Sequence, residues 1–306
     1  MTNSRLLEQF RSFYFQNYPD DMELQISFFA IFGGLQDITI DTTKPFRELI
    51  QTHILDNFQV IDEKMRELTR NEIINRKLLK ALATGDRRIF SAFNKAGLNN
   101  GNGGAALNYL QEQGIIQMEY SREEHPRQRY PKLKLKRQEA RHRISHKVLF
   151  TIPFVRFWFY FIIPHIKEIE AKEYDAFFKD FERRHHSYTS LVYEELSEVL
   201  LNYNLRDEHI LSSGSYWDAN LEIDILTLTQ SGNIYVGECK WKNHKVNKKE
   251  LHKIKDKCNK LGIEPTQIIF FSKRGFSKEL LLMQNTSLAL YSSEDFSALV
   301  KSRPKS

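Results

Sequence analysis

Three residues in the C-terminal half have side chains that can act together chemically: Asp224, Glu238 and Lys240. Asp224 lies in the strand-like run LEIDILTLT, and the other two lie in the next such run, IYVGECKWK. Side chains alternate between the two faces of a strand, so Glu238 and Lys240 share one face and Cys239 takes the other. Two acids and a lysine on one sheet face suit a divalent cation and an activated water. That combination is suited to phosphodiester cleavage.

The length of the turn between the two runs decides whether the carboxylates meet. A three-residue loop at 230–232, with glycine in the left-handed position, sets Asp224 opposite Glu238. Opposed residues have Cβ atoms roughly 4.5–5.5 Å apart, so both carboxylates could hold one Mg²⁺ or Mn²⁺ ion. A backbone carbonyl near Cys239 is the further expected ligand. A two-residue loop would instead set Asp224 opposite Cys239, on the wrong face.

The size and cysteine content of the chain indicate a protein of at least two domains with reduced thiols. Its 306 residues include 22 Phe and 13 Tyr, enough for more than one apolar core. The only two cysteines, Cys239 and Cys258, have neither metal-ligand spacing nor a disulfide framework. The N-terminal residues MTNSRLLEQF lack the pattern of a signal peptide. We therefore expect a cytoplasmic protein.

The aromatic run VLFTIPFVRFWFYFIIP, residues 148–164, is the one segment that resembles a membrane span. It is short, carries Arg156 near its middle and contains two prolines. We predict a buried helix that joins two domains, and no membrane partner.

The positive charge of the chain is concentrated in two windows. The net charge is +6, yet residues 121–147 carry ten Lys or Arg against three Glu, and residues 240–260 carry nine Lys against two acids. Localised positive charge favours a polyanionic partner, because neutralised phosphates release their counterions. In the second window Lys249, Lys253 and Lys257 follow a helical i, i+4, i+8 spacing. They are a candidate contact for the DNA backbone, and the alternative is a solvated helix face.

Residues 66–147 have the element order of a winged helix-turn-helix domain. Helices are predicted over 71–83, 87–96 and 104–113, followed by a strand at 115–120 and a second strand in KLKLK at 132–136. In such a domain the third helix enters the major groove and the wing follows the backbone. The candidate base-reading side chains are Asn102 and Asn108. The candidate wing contacts are Arg127, Arg129, Lys132 and Lys134. Winged helices also bind proteins, so that alternative stays open.

The remaining segments give the full predicted organisation. Residues 1–65 form a helical N-terminal segment, residues 148–184 an aromatic helical linker, and residues 185–306 an α/β domain. The α/β domain is predicted in the order α-β-β-α-β, with a helix over 188–202 and a lysine-rich helix over 247–261. The unalternating run QIIFF in the strand at 266–271 is typical of a strand covered on both faces.

This second half resembles the restriction-endonuclease-like superfamily with the PD-(D/E)xK signature. The motif aspartate corresponds to Asp224 and the (D/E)xK to Glu238-x-Lys240, although Ile223 replaces the usual proline. The resemblance implies a restriction-endonuclease-like mixed-sheet core. It also implies an acid on the first core helix, where Glu194 is expected and Glu195 is the fallback.

Nearly the whole chain is also similar to the region downstream of the ATPase domain in archaeal and bacterial AAA-type ATPases, a domain of unknown function. The GECKW run at 237–241 and the RFWF run at 156–159 are the most specific parts of this likeness. The chain departs from that pattern because no P-loop motif is present in it. The resemblance therefore implies, as one alternative, an accessory subunit that works with a separate ATPase.

These features together predict a Mg²⁺- or Mn²⁺-dependent DNA endonuclease that reaches double-stranded DNA through a winged helix. Asp224 and Glu238 would hold the cation, Glu194 would add a ligand or a water contact, and Lys240 would orient or deprotonate the attacking water. A homodimer is an expected partner arrangement, because cutting two strands needs two sites. The alternatives are a catalytically silent DNA- or protein-binding module and the ATPase subunit described above.

Overall fold

Helices make up the N-terminal part of the chain in the computed structural model, which describes residues 2–35, 38–123 and 144–301. Helix α2 (MELQISFFAIF) is apolar on nearly every side, so it is buried, and it begins where the Asp21 carboxylate accepts the Leu24 N–H. The predicted helical character of this segment is confirmed. Its helices are α1 Thr2–Asn17, α2 Met22–Phe32, α3 Phe46–Ile50 and α4 Phe58–Leu68, with a π-helical turn at Gln51–Leu55 after α3.

Three further helices and a two-stranded hairpin follow. Gly97 ends the second of these helices with φ +67°, and Asn99 begins the third by accepting the N–H of Asn102. A bridge from Arg88 to Lys147 adds the loop before the second helix to the hairpin. The elements are α5 Ile73–Ala83, α6 Ile89–Ala96, α7 Asn100–Glu112, β1 Ile116–Glu119 and β2 Lys147–Phe150.

The strand that pairs with β1 in the described residues was not predicted from the sequence. Strand β1 pairs antiparallel with β2, which lies at the start of the supposed linker and not in KLKLK. Packing explains the choice, because Val148 and Phe150 are buried apolar side chains. The KLKLK run and the candidate wing residues Arg127, Arg129, Lys132 and Lys134 lie outside the described residues.

The aromatic segment is helical and buried, as predicted, and it is part of the main core. Phe154, Phe157, Trp158 and Phe161 are almost fully buried, and the segment packs against α2. The charge of Arg156 is accommodated because its Nη1 donates to the Tyr188 carbonyl. The segment comprises α8 Pro153–Phe157, a π-helical turn Trp158–Ile162, a 3₁₀ turn Ile163–His165 and α9 Ile166–Glu170. Within the described residues, no helix is both long enough and apolar enough to cross a membrane.

One 30-residue helix, α10 (Asp175–Asn204), connects this segment to the C-terminal part. The sequence predicts a charged helix within residues 165–182 and a second helix over 188–202, with a domain boundary between residues 184 and 185. The boundary falls inside α10, because Phe177, Phe178 and Phe181 continue its buried face toward the N-terminus.

The C-terminal part is a five-stranded mixed sheet between helices, so the α/β class is confirmed. The strand order is β3-β6-β7-β8-β9, antiparallel up to β7 and parallel from β7 to β9. Two short strands, β4 and β5, form a separate pair. The strands are β3 Ile210–Ser212, β4 Tyr216–Trp217, β5 Glu222–Ile223, β6 Ile225–Thr229, β7 Ile234–Lys240, β8 Gln267–Ser272 and β9 Leu288–Ser292; the helices are α11 Lys248–Leu261, α12 Lys278–Leu282 and α13 Ser297–Val300.

The two faces of the sheet are covered by different helices. Helix α10 packs on the face of Cys239, where the Tyr193 and Trp241 rings lie 4.8 Å apart. Helix α11 packs on the face of Val236 and Phe270. Strand β8 is buried on both sides, as QIIFF predicted.

Candidate active site

The hairpin formed by β6 and β7 has the predicted register. The Thr229 N–H donates to the Asn233 carbonyl at 3.1 Å, and Gly232 takes φ +85° in the three-residue loop. Ile225 pairs with Gly237, which is the last pair of the ladder, and continuing this register by one residue sets Asp224 opposite Glu238. The two-residue loop is excluded.

Asp224 lies at a break in the strand, between β5 and β6. Its Oδ2 accepts the backbone N–H of Cys239 at 2.8 Å, which ties the acid to β7 between Glu238 and Lys240. Burial, followed by the charges of Glu238 and Glu194, raises the pKa of Asp224 well above its ordinary value. Burial and the neighbouring carboxylates therefore disfavour the charged form of Asp224.

Glu238 and Lys240 lie on one face, as predicted, and they contact each other. The Lys240 Nζ donates to Glu238 Oε1 at 2.5 Å, and it lies 3.7 Å from Glu250 Oε2 on α11. Burial opposes the charged form of Lys240, but Glu238, Asp224 and Glu250 outweigh it and raise its pKa. Lys240 is therefore an ammonium ion at neutral pH, suited to orienting groups and to stabilising negative charge.

Of the three lysines predicted to contact the DNA backbone from α11, two form ion pairs within the protein. Lys257 Nζ donates to Glu238 Oε2 at 2.8 Å, and Lys253 Nζ donates to Glu250 Oε1 at 2.7 Å. Lys249 is exposed near the start of the helix. Two of the three lysines that we assigned to the DNA backbone are thus bound to acids beside the candidate site.

Glu250 is a site residue that the sequence reading missed. It contacts Lys240 on β7 and Lys253 on its own helix, so it joins α11 to β7. The one local signal was its i, i+3 spacing from Lys253, which is common on solvated helices.

Glu194 and Glu195 are both on α10, on the Cys239 side of the sheet. Burial raises the pKa of Glu194 to about 7, with Arg87 opposing the rise and Glu222 adding to it. Glu194 lines a cleft of about 450 Å³ with Arg87, Glu222 and neighbouring residues. The charge of Glu194 contributes to the raised pKa of Asp224. Glu238 and Lys240, in contrast, lie on the face of the sheet that α11 covers.

Cys239 contributes its backbone and not its thiol. Its N–H holds Asp224, while its side chain is buried in the core under α10. Burial raises the pKa of this thiol well above its ordinary value, so the group stays protonated. The predicted ligand at this position, a backbone carbonyl near Cys239, stays a prediction.

The residues fit an open magnesium site and not a closed structural one. In the described ranges, no group of three or more His, Cys, Asp or Glu side chains is arranged to hold a metal ion. Mg²⁺ usually binds proteins through one or two carboxylates and keeps water and phosphate as its other ligands. Asp224 and Glu238 supply two such carboxylates, and a cation beside them would offset the burial and the acidic neighbours that raise the pKa of Asp224.

The candidate base-reading residues are on a separate element. Asn102 and Asn108 are exposed on α7, whose other side buries Gly103, Ala106 and Leu110. The N–H of Asn102 is held by the Asn99 side chain at 2.8 Å.

The fold and site define a mixed α/β protein with an acid-rich hairpin at the centre of its C-terminal sheet. Residues 158–254 match the model of the DUF234 family, described as archaea bacterial proteins of unknown function. The matched segment runs from the aromatic core into α11 and includes Glu194, Asp224, Glu238 and Lys240. No curated protein and no solved structure matches the chain.

Proposed function

We propose that the protein is a Mg²⁺- or Mn²⁺-dependent DNA endonuclease with a PD-(D/E)xK site. The observation that carries the proposal is the hairpin register, which sets Asp224 opposite Glu238. Lys240, two residues further on β7, contacts that glutamate. The succession of α10, the β6–β7 hairpin, α11 and β8 supports the same assignment.

Each residue of the proposed site has a distinct role in hydrolysis. Asp224 and Glu238 would hold the cation, which supplies Lewis-acid polarisation of the phosphate and a lowered pKa of water. Lys240, as an ammonium ion, would orient the attacking water and stabilise the charge that develops on the phosphate. Glu194 would make a water contact next to Asp224, and its pKa of about 7 would allow proton exchange at neutral pH. The attacking water loses a proton to bulk water as its oxygen bonds to phosphorus, the bond to the leaving sugar oxygen breaks, and that oxygen takes up a proton from bulk water.

Delivery to double-stranded DNA is assigned to a winged helix made of α5, α6, α7, β1 and β2. Support comes from the order of these elements and from the bridge of Arg88 to the hairpin. In this proposal α7 enters the major groove and Asn102 and Asn108 contact base edges. Arg127, Arg129, Lys132 and Lys134 are proposed to contact the phosphates, and a homodimer would cut both strands.

The test is a cleavage assay on supercoiled, linear, branched and single-stranded DNA with Mg²⁺ or Mn²⁺. We expect cleavage by the wild type and its loss in Asp224→Ala and Lys240→Ala. Lys255→Ala is the matched control, because Lys255 is an exposed lysine on the adjoining α11. Cleavage that survives both active-site substitutions would overturn the proposal.

A catalytically silent binding module is the second candidate. The observation that favours it is that both oxygens of Glu238 are bound to lysines. DNA binding without cleavage of any of the four substrates would support this reading. Co-purification with a P-loop protein would support the remaining alternative, an accessory subunit of a separate ATPase.

A further inference from the structure

Glu238 is held by two lysines from two different elements. Lys240 on β7 binds Oε1 at 2.5 Å, and Lys257 on α11 binds Oε2 at 2.8 Å. The Glu238 side chain is 10% exposed, so the site lies near the surface while being largely covered. Two ammonium groups on one carboxylate leave an excess of positive charge at that carboxylate.

A cation that binds Glu238 would be repelled by these two ammonium groups, and displacing one of them relieves the repulsion. The side chain of Lys257 is 28% exposed against 17% for Lys240, so Lys257 regains water more readily. Lys240 is also drawn to Glu250 and Asp224, which remain beside it. Lys257 is therefore the group that a cation displaces.

We propose that Lys257 is a second active-site lysine, which occupies Glu238 in the absence of a cation and binds a non-bridging oxygen of the scissile phosphodiester once a cation has displaced it. This inference rests on the proposed function. This role differs from the contact with the DNA backbone that the sequence predicts for Lys257. The 2.8 Å hydrogen bond to Glu238 brings Lys257 to the proposed cation site itself. Once displaced, the ammonium group of Lys257 can reach the scissile phosphate, because the lysine side chain is long and flexible.

The experiment measures cation binding without DNA and cleavage with DNA, on the same full-length proteins. Mn²⁺ binding is followed by calorimetry for the wild type, Lys257→Met, Lys257→Arg and Lys255→Met. We expect Lys257→Met to bind Mn²⁺ about three- to tenfold more tightly, because a competing ammonium is removed. Lys257→Arg and the control Lys255→Met should stay within about twofold of the wild type.

Cleavage at saturating Mn²⁺ should change in the opposite direction. Lys257→Met should lose about tenfold or more in kcat, because a phosphate contact is missing in the transition state. Lys257→Arg should keep most of the rate, and Lys255→Met all of it. Circular dichroism on each variant confirms that the fold is intact.

The possible outcomes separate this inference from the proposed function. A wild type that cleaves DNA, with Lys257→Met unchanged in both Mn²⁺ affinity and rate, overturns the role of Lys257 and leaves the endonuclease standing. Tighter Mn²⁺ binding with an unchanged rate overturns the phosphate contact. A wild type that neither binds Mn²⁺ nor cleaves DNA overturns both proposals.

Discussion

The carboxylate of Asp224 accepts a hydrogen bond from the backbone N–H of Cys239 at 2.8 Å, across the two strands of the central hairpin. This bond positions the acid at a break in its own strand against the strand that carries Glu238 and Lys240. Asp224 therefore holds the two strands together through its hydrogen bond and supplies the negative charge proposed to bind a cation. Different substitutions can remove the charge alone or both the charge and the hydrogen bond.

Replacing Asp224 by asparagine should abolish activity without unfolding the protein. The amide oxygen can still accept the Cys239 N–H, but the charge is lost. We expect cation-dependent DNA cleavage to fall about a hundredfold or more. The melting temperature at pH 8 should stay unchanged or rise, because a buried charge with a raised pKa is removed. Asp224→Ala, which also loses the hydrogen bond, should melt at a lower temperature than Asp224→Asn in a thermal scan.

Two glycines of the hairpin should respond differently to alanine. A Cβ at Gly237 would lie 3.0 Å from the Ile225 Cβ, next to the Asp224–Glu238 pair. Gly237→Ala should cost about 1–3 kcal/mol in urea denaturation and lower cleavage by the folded protein. A Cβ at Gly232 meets nothing within 4 Å, so Gly232→Ala should cost about 1 kcal/mol through its φ of +85° alone and leave cleavage intact. Equal losses of activity in the two variants would contradict this reading.

Arg122 should matter for stability because it joins the β1 end to the C-terminal sheet. Its guanidinium donates to the carbonyls of Gly214, Ser215 and Leu226 at 2.7, 3.0 and 2.9 Å. Arg122→Met should lower the free energy of unfolding by about 2–4 kcal/mol, since buried acceptors lose their donor. The matched control is Arg5→Met, which removes one exposed bond and should cost about 0.5 kcal/mol. Equal effects of the two changes in urea denaturation would refute the joining role.

Glu195 should make the protein less stable as pH rises. Burial raises its pKa to about 7, so the folded chain holds this proton more tightly than the unfolded chain does. Stability is then lost from about pH 4.5 upward, and the loss is complete above pH 7. Glu195→Gln should be more stable than the wild type by about 2–3 kcal/mol at pH 8 and equal to it near pH 4. The measurement is urea denaturation at pH 4, 6 and 8, and a difference that stays constant with pH would count against it.

Local sequence signals predicted much of the C-terminal fold. The loop at 230–232 contains one glycine in the position that needs a positive φ, and this set the hairpin register. Helix α11 begins after Asn247, which accepts the Lys249 N–H, and ends at Gly262 with φ +67°. Such signals act over a few residues, so they can be recognised without tertiary structure.

Other features depended on contacts that the sequence does not encode locally. The pairing of Lys147–Phe150 with β1 depends on burial of Val148 and Phe150 in the core. The length of α10 follows from phenylalanines that pack on the aromatic segment and extend its buried face. In both places a local pattern permitted two solutions, and long-range packing selected one.

The amino-acid sequence by itself determined that Asp224, Glu238 and Lys240 meet, because strand alternation and turn length are local properties. Only the tertiary structure decided which other groups reach them. Helix α11 returns across the sheet between parallel strands β7 and β8, and this crossover brings Lys257 to a residue nineteen positions earlier. The residue pattern of α11 or of β7 alone does not predict the contact between Lys257 and Glu238, because that contact depends on how the helix packs on the sheet.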